Sequence, residues 1–166
     1  MDEKVVKYDV DGYELVTPAI MDLINQYPGL MVGEKIEFST LGEDEGIALF
    51  PISGAVIESE RTSVTGKVTK ICLYPFYVIY RMASLSPNRK ENVKELLDNL
   101  GKWLEKEKIV LDGVEHKLSN YPELTENREF LEFRRQTPAN LDSVNENQSE
   151  NWAIYINARY RYEYYK

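Results

Sequence analysis

The fold is decided by residues 73–84, LYPFYVIYRMAS, which lead into residues 86–107, SPNRKENVKELLDNLGKWLEKE. From 76 to 83 almost every residue is aromatic, β-branched or otherwise apolar, on both alternating sides of the run. This pattern is typical of a central strand that is covered on both faces. Pro75 cannot donate a ladder hydrogen bond, so it predicts a bulge or kink between residues 68–73 and the main strand.

The segment after this strand predicts an amphipathic helix at about 87–106. Ser86 is suited to cap it, and Pro87 suits the first helical position, where its missing N–H would have had no partner. The apolar residues recur at spacings of three and four, which places them on one stripe. They are Val93, Leu96, Leu97, Leu100, Trp103 and Leu104. We expect this stripe to pack on the sheet that contains the strand, with Trp103 as a core residue.

The totals describe an acidic globular chain. It has 166 residues, of which 43% are hydrophobic and 29% charged, and a net charge of −8. Its length and composition fit a single domain spanning residues 1–166. The negative charge argues against binding to a phosphate backbone, although it suits a passage through which DNA slides without sticking. No run of eighteen apolar residues and no export signal is present, which predicts a cytosolic protein without a membrane span.

Before the central strand, the sequence predicts a short helix and a hairpin. Thr17 and Pro18 have the residue types of a cap and a first helical position, so we expect a short helix at about 18–27 that packs on the sheet. Residues 47–52 and 55–60 are two apolar runs separated by Ser-Gly, a pattern that favours a β-hairpin.

After the long helix, the sequence predicts two more strands and a loop. Residues 129–135 form a strand with Phe130 and Glu132 on one side. Residues 137–150 are polar and predict a long mobile loop. From Trp152 to Tyr164, apolar and polar residues alternate strictly, which predicts a long strand. Its length suggests that it pairs with the central strand, giving an α+β fold with an antiparallel sheet and the two helices packed on it.

The sequence offers few groups for chemistry. The only histidine, His116, lies in a charged context typical of an exposed loop, and the only cysteine, Cys72, has the setting of a small buried hydrophobe. No nucleophile elbow, phosphate-binding loop or dinucleotide-binding motif is present. Glu43, Asp44 and Glu45 lack the alternation of a calcium loop and predict an exposed acidic turn. The chain is therefore expected to have no catalytic site, no cofactor and no metal.

The order of these elements resembles the tail-terminator, or tail-completion, proteins of long-tailed bacteriophages and prophages, some of which are called minor capsid proteins. The resemblance covers about residues 47–165. It lies in the turn at Gly66, the strand and helix quoted above, the YPEL of residues 121–124, a strand before a polar loop, and a last strand that ends in tyrosines.

The resemblance implies an α+β structural protein that forms a ring of six on the end of a tail tube, stops its polymerisation and presents a surface to the head connector. Its partners would then be itself, the tail tube protein and the connector, first in the host cytoplasm and then in the virion tail. The resemblance also implies that DNA can pass through the ring without specific binding. We expect Glu43, Asp44 and Glu45, or the loop near residues 145–150, to face the lumen or a partner.

The tyrosines at the C-terminus need something to hold them, and a subunit contact would do so. Tyr160, Tyr162 and Tyr164 are therefore candidates for a subunit-contact strand. Two other functions stay open. The first alternative is a different head-tail connector or neck protein. The second is an enzyme or small-molecule-binding module that uses a pocket under the helix at about 87–106.

Overall fold

The computed structural model describes residues 5–83 and 87–166. Within these residues the chain forms helices α1 (Val10–Ile24) and α2 (Pro87–Leu104) and strands β1 (Ile36–Phe38), β2 (Gly46–Pro51), β3 (Val56–Thr62), β4 (Lys67–Met82), β5 (Ile109–Leu111), β6 (Val114–His116), β7 (Arg128–Arg135), β8 (Asn140–Val144) and β9 (Glu150–Tyr165). Seven of the strands make one sheet, in which β1 and β2 are parallel and the other pairs antiparallel, and β5 and β6 form a separate hairpin. The predicted α+β class with a mainly antiparallel sheet is confirmed.

The sheet is built on the pairing of β4 with β9. All sixteen residues of each strand are in register, from Lys67 opposite Tyr165 to Met82 opposite Glu150. This confirms the predicted pairing of the last strand with the central one. Because both strands alternate, every second side chain points to the same face of the sheet over their whole length.

The ladder between β4 and β9 runs through Pro75 without a bulge, which corrects the predicted interruption. On its other edge, β4 pairs with β3 up to Leu73 and with β2 from Phe76 onward. The Pro75 carbonyl accepts a hydrogen bond from the Ile52 N–H on this edge. An N–H at position 75 would point to the same edge, at the gap between β3 and β2. Pro75 therefore lies where no ladder donor is needed.

This arrangement also corrects the predicted hairpin. Strands β2 and β3 do not pair with each other; each pairs with a different half of β4. A second correction concerns β7, where a bulge between Phe130 and Glu132 changes the alternation. Phe130 and Phe133 thus both reach the core, whereas Glu132 lies on the other side.

Helix α1 begins eight residues before the predicted position and ends at Ile24, not at residue 27. Its cap is Asp9, whose carboxylate accepts a hydrogen bond from the Gly12 N–H at 3.1 Å. Pro18 lies inside the helix, and the Thr17 hydroxyl donates to the Tyr13 carbonyl one turn earlier. The Thr-Pro pair was therefore a misleading start signal, because Asp9 caps the helix and tertiary packing keeps it continuous through the proline.

Helix α2 begins at Pro87 as predicted and ends at Leu104, one half-turn early, just before Lys106 adopts a left-handed φ of 64°. The proposed cap, Ser86, lies outside the described residues. Trp103 is buried, as predicted, and belongs to the same core cluster as the inner residues of α1. Residues 137–150, predicted as a long loop, contain strand β8, which pairs with the start of β9 through a bulge.

Candidate functional site

The two faces of the sheet differ in how far the rest of the chain covers them. The side chains of β4 and β9 with even residue numbers lie on the side of the two helices, and most of them are fully buried; they include Val68, Cys72, Tyr74, Phe76, Val78, Ile154, Ile156, Ala158 and Tyr160. Their odd-numbered neighbours point to the opposite side. We call that side the open face, because among the described residues neither helix packs on it.

The centre of the open face is apolar. Ile71, Leu73, Tyr77 and Ile79 follow one another along β4, and Tyr77 remains 37% exposed. The Tyr77 ring lies 5.2 Å from that of Tyr155 on β9, centroid to centroid. None of these five side chains belongs to the core cluster. The sequence predicted cover on both faces of β4, whereas the chain covers one.

One end of the open face carries alternating charges. Arg159 lies 3.4 Å from carboxylate oxygens of both Glu58 and Glu132. Arg161 lies 2.7 Å from Glu129 and 3.2 Å from Glu163. These side chains are between about a third and two thirds exposed, so solvent screens each pair. Their role in stability is small, and they remain accessible to a partner.

Glu163 is also held by the side chains of Lys67 and Thr69. Lys67 lies 3.1 Å from its carboxylate, and the Thr69 hydroxyl donates to it at 3.0 Å. These contacts hold the pKa of Glu163 below its ordinary value, with the Lys67 ammonium as the main cause. The carboxylate is therefore ionised at neutral pH.

A shallow cleft of about 190 Å³ interrupts the open face beside Asn157, Leu73 and Arg134. The Asn157 Oδ1 atom is buried there and accepts no hydrogen bond from the described residues. A buried acceptor without a donor is costly, so it is a point that a partner's N–H or O–H could satisfy.

The predicted acidic residues Glu43, Asp44 and Glu45 lie in the exposed loop between β1 and β2. This loop contacts the turn between β8 and β9, because the Asn147 side-chain amide donates to the Glu43 carbonyl and, at 3.0 Å, to the Asp44 carboxylate. Arg81 on β4 donates to the Gly42 carbonyl in the same region. The two loops that were proposed separately thus form one corner of the molecule.

The predicted contact residues Tyr160, Tyr162 and Tyr164 lie on the helix side of β9, not on the open face. Tyr160 is fully buried, so its side chain is no surface for a neighbour. The Tyr162 ring packs 5.0 Å from that of Tyr164 and lies 3.8 Å from the Arg128 guanidinium. Within the subunit, the end of β9 is thus held by its own chain.

Sequence reasoning missed a buried polar cluster that fixes α1 to the sheet. Arg128 forms two hydrogen bonds with the Asp9 carboxylate, at 3.0 and 2.8 Å, and the Tyr160 hydroxyl donates to it at 2.7 Å. Burial opposes ionisation of Asp9, but the bonds from Arg128, Tyr160 and Gly12 outweigh it and lower its pKa. The signal was Asp9 as a cap-type residue; Arg128, 119 residues away, gave none.

The structure places Cys72 and His116 in different surroundings. Burial raises the pKa of the Cys72 thiol to about 11, which keeps it protonated and unreactive at neutral pH. His116 is the last residue of β6 and half-buried, rather than in a loop as expected. No group of three or more metal-ligating side chains occurs in the described residues. Nor does any helix of residues 5–83 and 87–166 combine the length and apolarity needed to cross a membrane.

The open face, with its apolar centre and charged end, is therefore the candidate functional site. Its chemistry suits contact with another protein surface. Comparisons with known proteins add no family: no protein-family model matches the chain, and no curated protein matches it. The odd-numbered residues of β4 and β9 were visible in the sequence as a second alternating set, and this was the signal for the site.

Proposed function

We propose that this chain is a structural protein of a long-tailed phage or prophage that caps the tail tube as a ring, ends its polymerisation and presents the surface for head joining. The observation that carries the proposal is the open face, because its row of apolar side chains on β4 is left partly exposed by the chain's own elements. A subunit that assembles needs such a surface. In this proposal the two helices form the layer packed on the opposite face of the sheet.

The corner formed by the β1–β2 loop and the β8–β9 turn is acidic, which suits a position along a DNA passage. Glu43, Asp44 and Glu45 are exposed there, and Asn147 holds their loop against the turn between β8 and β9. Carboxylates facing a lumen repel DNA phosphates, which allows DNA to slide without binding. The partners in this proposal are other copies of the chain, the tail tube protein and the head-tail connector. Assembly takes place in the host cytoplasm and ends in the virion tail.

The contacts of α2 favour an assembly role over a pocket under that helix. Leu97, Leu100 and Leu104 on its inner side are fully buried in the core cluster. A cleft of about 560 Å³ lies at the charged end of the sheet, but Lys67, Arg161 and Glu163 in its wall are already joined in ion pairs. The protein is proposed to act without catalysis and without a cofactor.

The test is inactivation of the gene in a phage or prophage that carries it, with the wild-type gene supplied in trans as the control. Overlong or unjoined tails in electron micrographs support the tail-terminator function. Tails of correct length that fail to join heads would instead indicate another neck protein. Normal virions at normal yield would contradict both. Light scattering and negative-stain images of the purified protein add whether it forms closed rings.

A further inference from the structure

The open face differs in charge from the rest of the molecule. Its basic residues are Arg61, Lys67, Arg81, Arg134, Arg159 and Arg161, and its acidic residues are Glu37, Glu58, Glu129, Glu132 and Glu163. The chain has 20 basic and 28 acidic residues, so with these six and five set apart the remainder carries nine more acidic than basic residues. Two copies of such a chain repel each other except where an open face meets an acidic surface.

Part of this positive charge is available to a partner. Arg61 and Arg134 are exposed and form no ion pair with the described residues. Strands of sixteen residues are about 50 Å long, and four strands side by side are about 20 Å wide, which gives an area of about 1,000 Å². A standard protein interface needs about 800 Å² from each partner. The open face is thus large enough for a stable contact.

A matching acidic surface lies on α1. Asp11, Glu14 and Asp22 are exposed and recur at helical spacing on its outer side, and no basic residue occurs between Val10 and Ile24. We call these three residues the acidic stripe. The opposite side of α1 packs on the sheet, where the Tyr13 ring stacks on Tyr74 at 5.4 Å. The acidic stripe and the open face therefore lie on opposite sides of the subunit.

We propose that the open face of one copy binds the acidic stripe of a second copy of this chain. The contact would add a helical layer to the uncovered side of the sheet, as helix-on-sheet packing does within a domain. Because it joins two different surfaces, it is heterologous and can repeat from copy to copy until a ring closes. The inference rests on the proposed function only in the step by which repeated contacts close into a ring.

The experiment measures the mass of the full-length protein by light scattering over a concentration series, at low and at high salt. The stripe variant carries Glu14→Lys and Asp22→Lys, and the face variant carries Arg61→Glu and Arg134→Glu. A control with Glu91→Lys and Glu95→Lys makes the same charge change as the stripe variant on exposed positions of α2. Thermal unfolding of each variant shows that it is folded.

We expect the wild type to associate, more weakly at high salt, and each of the two variants to lose at least about tenfold in affinity. The control should associate like the wild type or better, because it lowers the net negative charge. Mixed one to one, the stripe and face variants should associate again, since each supplies the charge that the other now needs. Equal losses in the control, or no restoration on mixing, would overturn the contact.

A wild type that stays monomeric up to about 1 mM at low salt would also overturn it, since such an affinity is no stronger than about −4 kcal/mol. That result would leave the tail phenotype to decide the proposed function. Conversely, normal virions after gene inactivation would contradict the function while the association measured in solution still stands.

Discussion

Both faces of the sheet carry apolar side chains along β4 and β9, but the chain buries them to different degrees. On the helix side, Tyr74, Phe76 and Val78 are fully buried and belong to a core cluster that also contains residues of α1, α2 and β7. On the open face, Ile71, Leu73 and Tyr77 alternate with them along the same strand and remain partly exposed. Complete burial of such a side chain contributes about 1.5–3 kcal/mol, so the open face gains only part of this free energy within one subunit.

The polar groups of the two sides differ in the same way. On the helix side, Asp9 and Arg128 are removed from water and satisfied by each other and by Tyr160. On the open face, Arg159 and Arg161 share carboxylates that water also reaches. One side stabilises the subunit, and the other leaves free energy to be gained from a neighbour. The comparison predicts that equal substitutions have unequal effects on the two sides.

The largest difference is expected between two arginines. Arg128→Leu leaves the buried Asp9 carboxylate without its cation and should lower the free energy of unfolding by about 3–5 kcal/mol. Arg161→Leu, the same change on the open face, should lower it by no more than about 1 kcal/mol. Urea unfolding of the two variants measures both values. Equal losses in the free energy of unfolding would show that the ion pairs of the two faces stabilise the subunit equally.

A leucine pair tests the apolar part of the comparison. Leu100→Ala on the inner side of α2 leaves a cavity in the closed core and should cost about 3 kcal/mol. Leu73→Ala on the open face should cost about 1 kcal/mol, because solvent already reaches that side and no closed cavity forms. Thermal unfolding at fixed pH ranks the two variants. A loss at Leu73 as large as at Leu100 would mean that the open face is covered within the subunit.

How much of this could be predicted depends on the range of the interaction. Local patterns predicted two elements correctly. The period of two from Trp152 to Tyr164 predicted β9 and its pairing with β4. The spacing of Leu97, Leu100 and Leu104 predicted α2. The predicted start of α1 was wrong because Thr17 and Pro18 have the residue types that commonly begin a helix. The actual cap, Asp9, is part of a contact with Arg128 far along the chain.

The candidate site was predicted in part. The sequence showed that both sides of β4 are apolar, but it could not show that the two helices of the described residues lie on the same side of the sheet. The bulge beside Phe130 and the two partners that flank Pro75 also depend on which strands become neighbours. Tyr160 was included in the predicted subunit contact because a local pattern does not reveal that its hydroxyl bonds to Asp9.

A pH series gives a smaller effect that again separates the two sides. The pKa of Asp9 lies below its ordinary value of 3.8, so its contribution to stability is complete above about pH 4 and is lost as the pH falls through the lower pKa of the folded state. Wild type should therefore lose more stability on acidification than Asp9→Asn. Glu163→Gln on the open face, where water screens the ion pairs, should change the slope less. Unfolding midpoints from pH 7 to pH 2 measure these slopes, and a steeper slope in Asp9→Asn would contradict the expectation.

The smallest effect on the isolated subunit is expected from Tyr77→Thr. Threonine has the β-branched preference for a strand and removes the ring that packs on Tyr155, a pair worth about 0.2–1 kcal/mol. Urea unfolding of dilute protein should therefore differ from wild type by no more than about 1 kcal/mol. The same variant should associate several-fold more weakly, because the ring lies in the middle of the open face and its exposed 37% is area that only a neighbour can bury. Phe38→Thr, which removes an exposed ring from the edge of the sheet, is the matched control and should associate like the wild type. Unchanged association of Tyr77→Thr would mean that the apolar row on β4 is an ordinary solvated face, and the comparison between the two sides would then concern stability alone.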